Sequence, residues 1–360
     1  MTVKADVAIV GAGMAGASLA AEIAPHASVL LIEAEDQPGY HSTGRSAAFW
    51  SESYGGPLVQ PLTSASRAFL AEHNLLRPRG ALHIADSEGA EALGALEREF
   101  AGTPVALEPV GDLEARLPGL RPGWSAALWE PSCADIDVAG LHQFYLAAAK
   151  RAGARLVTGM RIERAERRGG TWRIGDGFEA GILVDAAGAW ADEVARAAGV
   201  APLGIRPFRR TIAQLRVSPP VPADLPLVID AVGRFYFKPE AGGRLWLSPH
   251  DETACEAADC AAEEWDVATA IDRLEKVVDW RVERVERSWA GLRTFAPDRL
   301  PVYGFDAAAE GFFWFAGQGG FGIQTAPAAA KLAASLLLGR APDPAVAAID
   351  PAPYAPTRLA

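Results

Sequence analysis

The chain has 360 residues and a formal net charge of -11 at neutral pH, which would repel phosphate backbones and argues against nucleic acid as a partner. Half of its residues are hydrophobic and 22% are charged, proportions that indicate a folded protein rather than a disordered one, and the length favours two domains. Three scattered cysteines support neither a disulfide framework nor a zinc site, so we expect no metal.

The first predicted elements are a strand, a turn and a helix. Residues 5–10 are apolar and β-branched, and the helix-forming stretch after them begins at a glycine-rich turn. Gly11, Gly13 and Gly16 occupy the G-x-G-x-x-G positions: the first permits a tight turn, the second lets a pyrophosphate approach, and the third lets helix and strand pack closely. A second short strand ends on Glu33, whose carboxylate can accept ribose hydroxyls and would repel a 2′-phosphate. The pattern predicts a dinucleotide site at the helix N-terminus; the alternative is a purely structural turn.

A polar loop, GYHSTGRSAAFW, follows at residues 39–50. Here the chain resembles the amine-oxidising flavoproteins of the D-amino acid oxidase superfamily, and most nearly the catabolic D-arginine dehydrogenases, whose YHSTGRSAA segment it carries. Further blocks occur in the order that this family uses: ADIDVAGLHQFYL, LVDAAGAW, FYFKPEAG, WAGLRTF and EGFFWFAGQGGFGIQT. The resemblance implies FAD as the cofactor. It also implies non-covalent binding, because no cysteine stands around Gly291 and Leu292, where sarcosine oxidases anchor their flavin.

The resemblance implies an α/β fold in which a Rossmann-like FAD-binding domain is interleaved with a β-rich α+β substrate domain, as in D-amino acid oxidase and glutathione reductase-like proteins. We assign residues 1–80, 136–203 and 290–360 to the FAD-binding domain and residues 81–135 and 204–289 to the substrate-binding domain. The local patterns are compatible with this division. Short strands flank a charged helix between residues 81 and 130, Asp137 is placed to cap the next helix, and several β-rich runs follow residue 204.

The resemblance also implies a set of cofactor contacts. A buried diphosphate and ribityl chain need polar partners, which the loop hydroxyls and Arg45 would supply, although Arg45 could instead be a surface salt-bridge residue. Near the C-terminus, loop glycines would present N–H groups to the flavin where negative charge collects on reduction; a glycine-rich cap without a ligand is the alternative. The predicted contacts are Gly11, Gly13, Gly16, Glu33, Ser42, Thr43, Arg45, Ser46, Ala48, Ile162, Ala187, Gly188, Gly317, Gly319, Gly320, Gly322 and Ile323.

Two arginines and two tyrosines match the family's substrate residues. Arg293 and Arg210 would bind a carboxylate, since a planar guanidinium can do so through two hydrogen bonds. Arg293 could instead pair with Asp298. Tyr236 and Tyr54 would line the same cavity, the alternative being ordinary aromatic packing. We therefore predict these four residues as the catalytic group.

The chain departs from the D-arginine dehydrogenase pattern at two positions. Ala81 stands where those enzymes place the glutamate that binds the guanidinium, and Phe49 stands in place of a histidine. A cationic side chain would lack a counter-charge, so we expect an apolar or neutral substrate side chain. His83 shares a strand face with Ala81 and could meet a polar side chain, although such a histidine is more often a satisfied core residue. These three residues and Gly320 complete the predicted substrate pocket.

The expected function is FAD-dependent oxidation of a D-amino acid, with oxygen or a quinone as electron acceptor. A single nucleotide fingerprint disfavours a reductase that also binds NAD(P)H. The alternatives are oxidation of glycine, an N-methyl amino acid or a 2-hydroxy acid, a flavoprotein subunit of an electron-transfer complex, and a non-enzymatic FAD-binding scaffold. No apolar run reaches the roughly 20 residues of a membrane-spanning helix and no export signal is visible, so we expect a cytoplasmic protein, at most peripheral to the membrane.

Overall fold

A computed structural model describes residues 2–47 and 49–359. In chain order, its strands are β1 (Val3–Val10), β2 (Val29–Ile32), β3 (Phe49–Trp50), β4 (Leu76–Pro78), β5 (Ala81–Ala85), β6 (Glu108–Pro109), β7 (Ala126–Glu130), β8 (Ala134–Ile136), β9 (Arg155–Val157), β10 (Ala165–Arg168), β11 (Thr171–Ile174), β12 (Phe178–Asp185), β13 (Arg206–Ser218), β14 (Leu227–Asp230), β15 (Tyr236–Glu240), β16 (Arg244–Ser248), β17 (Thr253–Ala254), β18 (Arg281–Phe295), β19 (Val302–Phe305) and β20 (Phe312–Ala316).

The helices alternate with these strands mainly in the first half of the chain and at its end. They are α1 (Met14–Ile23), α2 (Gln60–Glu72), α3 (Ala90–Glu99), α4 (Leu113–Arg116), α5 (Val138–Arg151), α6 (Ala191–Ala197), α7 (Glu264–Val277) and α8 (Ala326–Leu338), with short 3₁₀ helices at Gly188–Trp190, Ala352–Tyr354 and Pro356–Leu359. The predicted cap of α5 is confirmed, because the Asp137 carboxylate accepts the Gly140 N–H at 2.9 Å. In the described ranges, no helix is long and apolar enough to cross a membrane.

The first sheet is mainly parallel and carries the glycine triplet. Strands β9, β2, β1, β12 and β20 lie side by side in parallel, and β19 adds an antiparallel edge. The β10–β11 hairpin pairs with the first half of β12. All four residues of β2 are buried, as a parallel strand covered on both faces requires. Helices α1 and α8 cover one face, and α6 covers the other together with the hairpin.

The second sheet is mainly antiparallel. Its strand β18 contacts the loop that follows β2 of the first sheet. Its strand order is β18, β13, β16, β15, β14, β5, β7 and β6. The short strand β17 also pairs with β13, next to β16, and β14 runs parallel to β5. Helices α4 and α7 pack on one face of this sheet around an apolar cluster. The predicted fold class, a Rossmann-like unit joined to a β-rich α+β unit, is confirmed.

Strand β18 is the longest element at 15 residues, and it pairs with β13 along its whole length. Sequence reasoning placed a domain junction between residues 289 and 290, which falls inside this strand. The domain bounds therefore stay a prediction. With this junction, β18 would belong partly to each domain. A third sheet, β3–β8–β4, lies beside the other two and positions the start of the segment that leads to Tyr54.

Candidate active site

The glycine triplet lies at the carboxyl end of β1, where the chain turns into α1. Gly11 has φ of 99°, and a Cβ at this position would lie 2.5 Å from the Ala186 carbonyl oxygen, so a larger residue would not fit. A Cβ on Gly16 would lie 1.8 Å from the Gly11 carbonyl oxygen. Gly11 and Gly13 line a cavity, whereas Gly16 lies behind it. The first two glycines therefore face a possible ligand, and the third lets the helix pack on the turn.

The predicted acid, Glu33, holds this turn from the second strand. Its Oε2 accepts the Ala12 N–H at 2.7 Å and its Oε1 accepts the Glu35 N–H at 3.0 Å. On the other side of the turn, His142 Nε2 lies 2.8 Å from the Ala12 carbonyl oxygen. Burial lowers the pKa of His142, which favours a neutral ring that donates this hydrogen bond. His142 was not predicted for the site, because it lies on α5, 130 residues away in sequence.

The loop after Glu33 spans the gap between the two sheets. Ser42 Oγ donates to the Leu292 carbonyl oxygen at 2.6 Å, and Thr43 Oγ1 accepts the Met14 N–H of α1 at 2.9 Å. Arg45 forms an ion pair with Asp259 and donates to the carbonyl oxygens of Cys260, in the loop before α7, and of Ala290, in β18. Arg45 thus forms a salt bridge, which was the alternative to a cofactor contact. The predicted contact at residue 48 lies outside the described residues.

An elongated cavity connects the glycine turn to the second sheet. The predicted residues that line it are Gly11, Gly13, Glu33, Ser42, Thr43, Arg45, Ser46, Ile162, Ala187, Gly188, Arg210, Tyr236, Arg293, Gly319, Gly320, Gly322 and Ile323. Predicted residues that do not line it are Gly16, Phe49, Tyr54, Ala81, His83 and Gly317. Sequence reasoning missed other lining residues, including His41 and Trp190, whose rings lie 4.5 Å apart. Both belong to quoted family blocks, which was the available signal.

The C-terminal glycine loop approaches the arginines of the second sheet. The Gly319 N–H donates to the Thr294 carbonyl oxygen at 2.7 Å and is therefore already used within the protein. Within residues 2–47 and 49–359, the N–H groups of Gly320 and Gly322 have no backbone acceptor. A Cβ on Gly320 would lie 2.1 Å from the Tyr54 hydroxyl and 2.9 Å from Arg293 Cζ. Tyr54 thus meets the site at Gly320, although it is not among the cavity-lining residues.

The two predicted carboxylate-binding arginines share one end of the cavity. Arg210 is 4% exposed, and its Nε donates to the Asp251 carbonyl oxygen at 2.7 Å while its Nη2 lies 3.2 Å from Glu252 Oε1. Its Nη1 is buried without a hydrogen-bond partner among the described residues. Burial, followed by the charge of Arg293, lowers the pKa of Arg210 to about 10. The site therefore concentrates positive charge that is only partly compensated.

Arg293 is the less compensated of the two arginines. Among the described residues its side chain has no hydrogen bond and no ion pair, and its guanidinium lies 5.8 Å from the centre of the Tyr54 ring. The alternative partner, Asp298, instead pairs with Arg358 at 2.6 Å. The two arginines also affect a neighbouring imidazole: burial, and then their charges, lower the pKa of His250 to about 3.

Aromatic rings enclose the arginine end of the site. The ring of Phe49 lies 5.5 Å from that of Tyr54 and 5.9 Å from that of Tyr236, which is 4% exposed. Tyr236 in turn contacts His250 edge-on at 5.6 Å. This aromatic wall offers apolar surface together with two phenolic hydroxyls close to the arginines.

Ala81 and His83 lie on the same face of β5 as predicted, but behind the cavity wall. Ala81 is fully buried in an apolar cluster with Tyr236. His83 Nε2 lies 3.0 Å from Glu130 Oε2, so the histidine meets an acidic side chain of the protein. Glu130, which is 0% exposed, was not predicted, because nothing in its local sequence indicates burial.

The cysteines stay outside the cavity. Cys133 is buried, Cys255 and Cys260 are partly exposed, and all three are free thiols. In the part of the chain that the structure describes, no group of three or more histidine, cysteine, aspartate or glutamate residues could hold a metal ion.

A glycine turn at the carboxyl edge of a parallel sheet, facing a second sheet across a cavity, is typical of dinucleotide-binding proteins. Residues 6–336 match the family model described as FAD dependent oxidoreductase, and the chain belongs to this family. FAD is its cofactor, as predicted. The glycine oxidase of Pseudomonas aeruginosa is 27% identical over 271 residues, which cover 70% of this chain and 68% of that protein. The glycine oxidase of Pseudomonas putida is 26% identical over 332 residues, covering 88% and 84%.

Solved structures agree in fold. The crystal structure of glycine oxidase from Geobacillus kaustophilus has a TM-score of 0.85 at 24% identity and covers 99% of each chain. That of L-proline dehydrogenase from P. horikoshii has a TM-score of 0.84 at 21% identity, covering 100% of this chain and 98% of the other.

Proposed function

We propose that this protein oxidises the amine of a small α-amino acid, most readily a D-amino acid with an apolar or neutral side chain. The product would be the imino acid, which water converts to the 2-oxo acid and ammonia. The observation that carries the proposal is the pair of guanidinium groups, Arg293 and Arg210, at one end of a cavity whose other end is the glycine turn. The relatives named as glycine oxidases support an amine donor.

The cavity fits FAD, because Gly11 and Gly13 line it without side chains at the N-terminus of α1, where a diphosphate can approach the backbone closely. We infer that Gly11 and Gly13 hold the diphosphate at the N-terminus of α1 and that Glu33 holds the adenosine ribose. When bound, FAD supplies the acceptor for the two electrons that leave the substrate as a hydride. The N–H groups of Gly320 and Gly322, which have no backbone acceptor among the described residues, would stabilise negative charge near the reacting end.

The substrate carboxylate would bind Arg293 through two parallel hydrogen bonds. Arg210 would contribute its buried Nη1, which lacks an acceptor among residues 2–47 and 49–359. A buried guanidinium nitrogen without an acceptor is unfavourable, so an anion at this position would complete the hydrogen bonding of Arg210 and supply a partner for the partly buried Arg293. The positive charges of the two arginines also disfavour a neutral or cationic group at this end of the cavity.

The chain's own residues then have a positioning task. The substrate amine must lose its proton before hydride leaves Cα, because its lone pair stabilises the developing iminium. No side chain has to remove the Cα proton. The residues need only hold Cα in one place and exclude water, which the carboxylate anchor and the aromatic wall of Phe49, Tyr54 and Tyr236 would do together.

The preference for an uncharged side chain rests on the carboxylates that line the cavity. Among the described lining residues these are Glu33, Glu35 and Glu193, which come from the loop after β2 and from α6, not from the second sheet. A cationic side chain near Tyr236 would therefore lack a counter-charge. Glycine is the second candidate, favoured by the names of the two Pseudomonas relatives.

The test is anaerobic reduction of the FAD-loaded protein, followed as bleaching of the flavin absorbance. D-Leucine and D-phenylalanine should bleach it faster than D-arginine and faster than their L-enantiomers, with glycine, N-methylglycine and the matched 2-hydroxy acids as comparisons. Fastest bleaching by glycine would select the second candidate. Faster bleaching by D-arginine would overturn the side-chain preference, and no bleaching by any amine would overturn the proposed activity. Admission of air then tells oxygen from a quinone as acceptor.

A further inference from the structure

A buried carboxylate holds the turn that carries Tyr54. This turn, residues 51–54, lies between β3 and α2, and Glu130 lies at the end of β7. Glu130 accepts hydrogen bonds from Ser51 Oγ at 3.0 Å, from Ser53 Oγ at 2.6 Å and from the Glu52 N–H at 2.8 Å. A longer contact of 3.4 Å joins it to the Ser53 N–H. Three successive residues of the turn thus converge on one carboxylate.

The surroundings of Glu130 leave it dependent on these donors. Its side chain is 0% exposed, and among the described residues no lysine or arginine pairs with it. In the described part of the chain, the histidine that contacts it is His83, whose Nε2 lies 3.0 Å away. Burial raises the pKa of Glu130, but the hydrogen bonds from His83, Ser53 and Ser51 outweigh it and lower the pKa overall. A buried carboxylate that lost these donors would be strongly disfavoured, so the donors are fixed in place.

The residue that follows these donors reaches the active site. An ideal Cβ on Gly320 would lie 2.1 Å from the Tyr54 hydroxyl and 2.9 Å from Arg293 Cζ, so the hydroxyl occupies the space beside both. From the opposite side, Gln324 accepts the Ser51 N–H at 3.1 Å and donates to the Tyr54 carbonyl oxygen at 3.1 Å. The turn therefore has little freedom, and the position of the Tyr54 ring depends on it.

We propose that Glu130 is a positioning residue for the substrate site: it fixes the 51–54 turn so that the Tyr54 hydroxyl lies beside Arg293. Glu130 itself does not line the cavity and would not contact substrate. The kinetic part of this inference rests on the proposed function, because it treats Tyr54 as a substrate-contacting residue. The positional part does not.

The kinetic test is a double-mutant cycle between Glu130→Gln and Tyr54→Phe on the FAD-loaded enzyme. Glu130→Gln should raise KM for D-leucine roughly tenfold, the size expected from losing one hydrogen bond to a charged group, with a smaller change in kcat. In the Tyr54→Phe background the same substitution should have almost no further effect, because its effect acts through the Tyr54 hydroxyl. Multiplying effects in the double variant would overturn the proposal.

Two further variants keep the test decisive. Ser53→Ala removes one donor without removing the charge and should raise KM in the same direction if Glu130→Gln does not fold. Asp230→Asn is the matched control: Asp230 is a buried carboxylate of the same sheet, 1% exposed, which holds Arg234 instead. Its KM should stay near that of the wild type. If Asp230→Asn raised KM as much as Glu130→Gln does, the rise would come from losing any buried charge in this sheet, and Glu130 would have no specific positioning role.

The positional part is tested without turnover. A crystal structure of the FAD-loaded Glu130→Gln variant should show the Tyr54 ring displaced from Arg293 relative to the wild type. If no amino acid reduces the wild-type flavin, the proposed function fails and this comparison still stands. An unmoved Tyr54 ring would overturn the positioning role whatever the substrate is.

Discussion

Substitution of Gly320 by alanine tests the geometry at the centre of the site. The backbone of Gly320 is outside the left-handed region, so alanine brings no backbone strain there. The new methyl group would lie 2.1 Å from the Tyr54 hydroxyl and 2.9 Å from Arg293 Cζ. Restoring ordinary contact requires the hydroxyl to move by about 1 Å or more and the guanidinium to move with it, and a misplacement of that size can lower kcat/KM about 100-fold.

The assay is steady-state oxidation of D-leucine, with FAD content measured from the flavin absorbance of the same preparation. Gly111→Ala is the control, because a Cβ at this position meets nothing within 4 Å and its backbone is also outside the left-handed region. The control should match the wild type. If Gly320→Ala keeps its FAD and its kcat/KM stays within about twofold, then Tyr54, Arg293 and Gly320 do not form the substrate site and the reasoning is refuted.

Three further predictions follow from single residues. Arg293→Lys should raise KM about 10- to 100-fold with FAD content unchanged, because lysine cannot bind a carboxylate through two parallel hydrogen bonds; an unchanged KM would exclude the carboxylate role. Burial raises the pKa of Asp185 well above its ordinary range, so the folded state keeps a proton that the unfolded chain loses above about pH 4, and stability falls as the pH rises from there. Asp185→Asn should therefore increase Tm more at pH 8 than at pH 5, and an equal increase at both would contradict this. Denaturation should release all FAD into the supernatant, and flavin that stays on the chain would disprove non-covalent binding.

Local patterns predicted most of the elements that build the site. The strand, glycine turn and helix at residues 3–23 follow from apolar periodicity and from glycine spacing, both of which are short-range signals. Strand β5, helix α3 and strand β7 were likewise predicted, as two short strands that flank a charged helix. The placement of Arg293 and Arg210 in one cavity came from family resemblance, because no local pattern brings β13 and β18 together.

The features that sequence reasoning missed depend on distant pairing. Glu130 meets Ser51 and Ser53 across 79 and 77 residues, and the pairing of β3 with β8, the strand that follows β7, brings that turn close to its carboxylate. A glutamate at the end of a short strand looks like a solvent-exposed residue, since the sequence does not tell which face is covered. The same limit applies to His142, whose bond to the glycine turn depends on how α5 packs against α1.

Arg45 illustrates how a predicted contact and an observed ion pair can both hold. Its partner, Asp259, is separated from it by 214 residues, and the side chain of Asp259 is 56% exposed. An ion pair with such an exposed carboxylate contributes only about 0.2–1 kcal/mol, whereas a desolvated diphosphate gains considerably more from a guanidinium. Exchange of one anion for the other is therefore inexpensive, and the pair with Asp259 does not argue against an FAD contact. Because Asp259 belongs to the segment between β17 and α7, such an exchange would also loosen that segment from the cofactor loop.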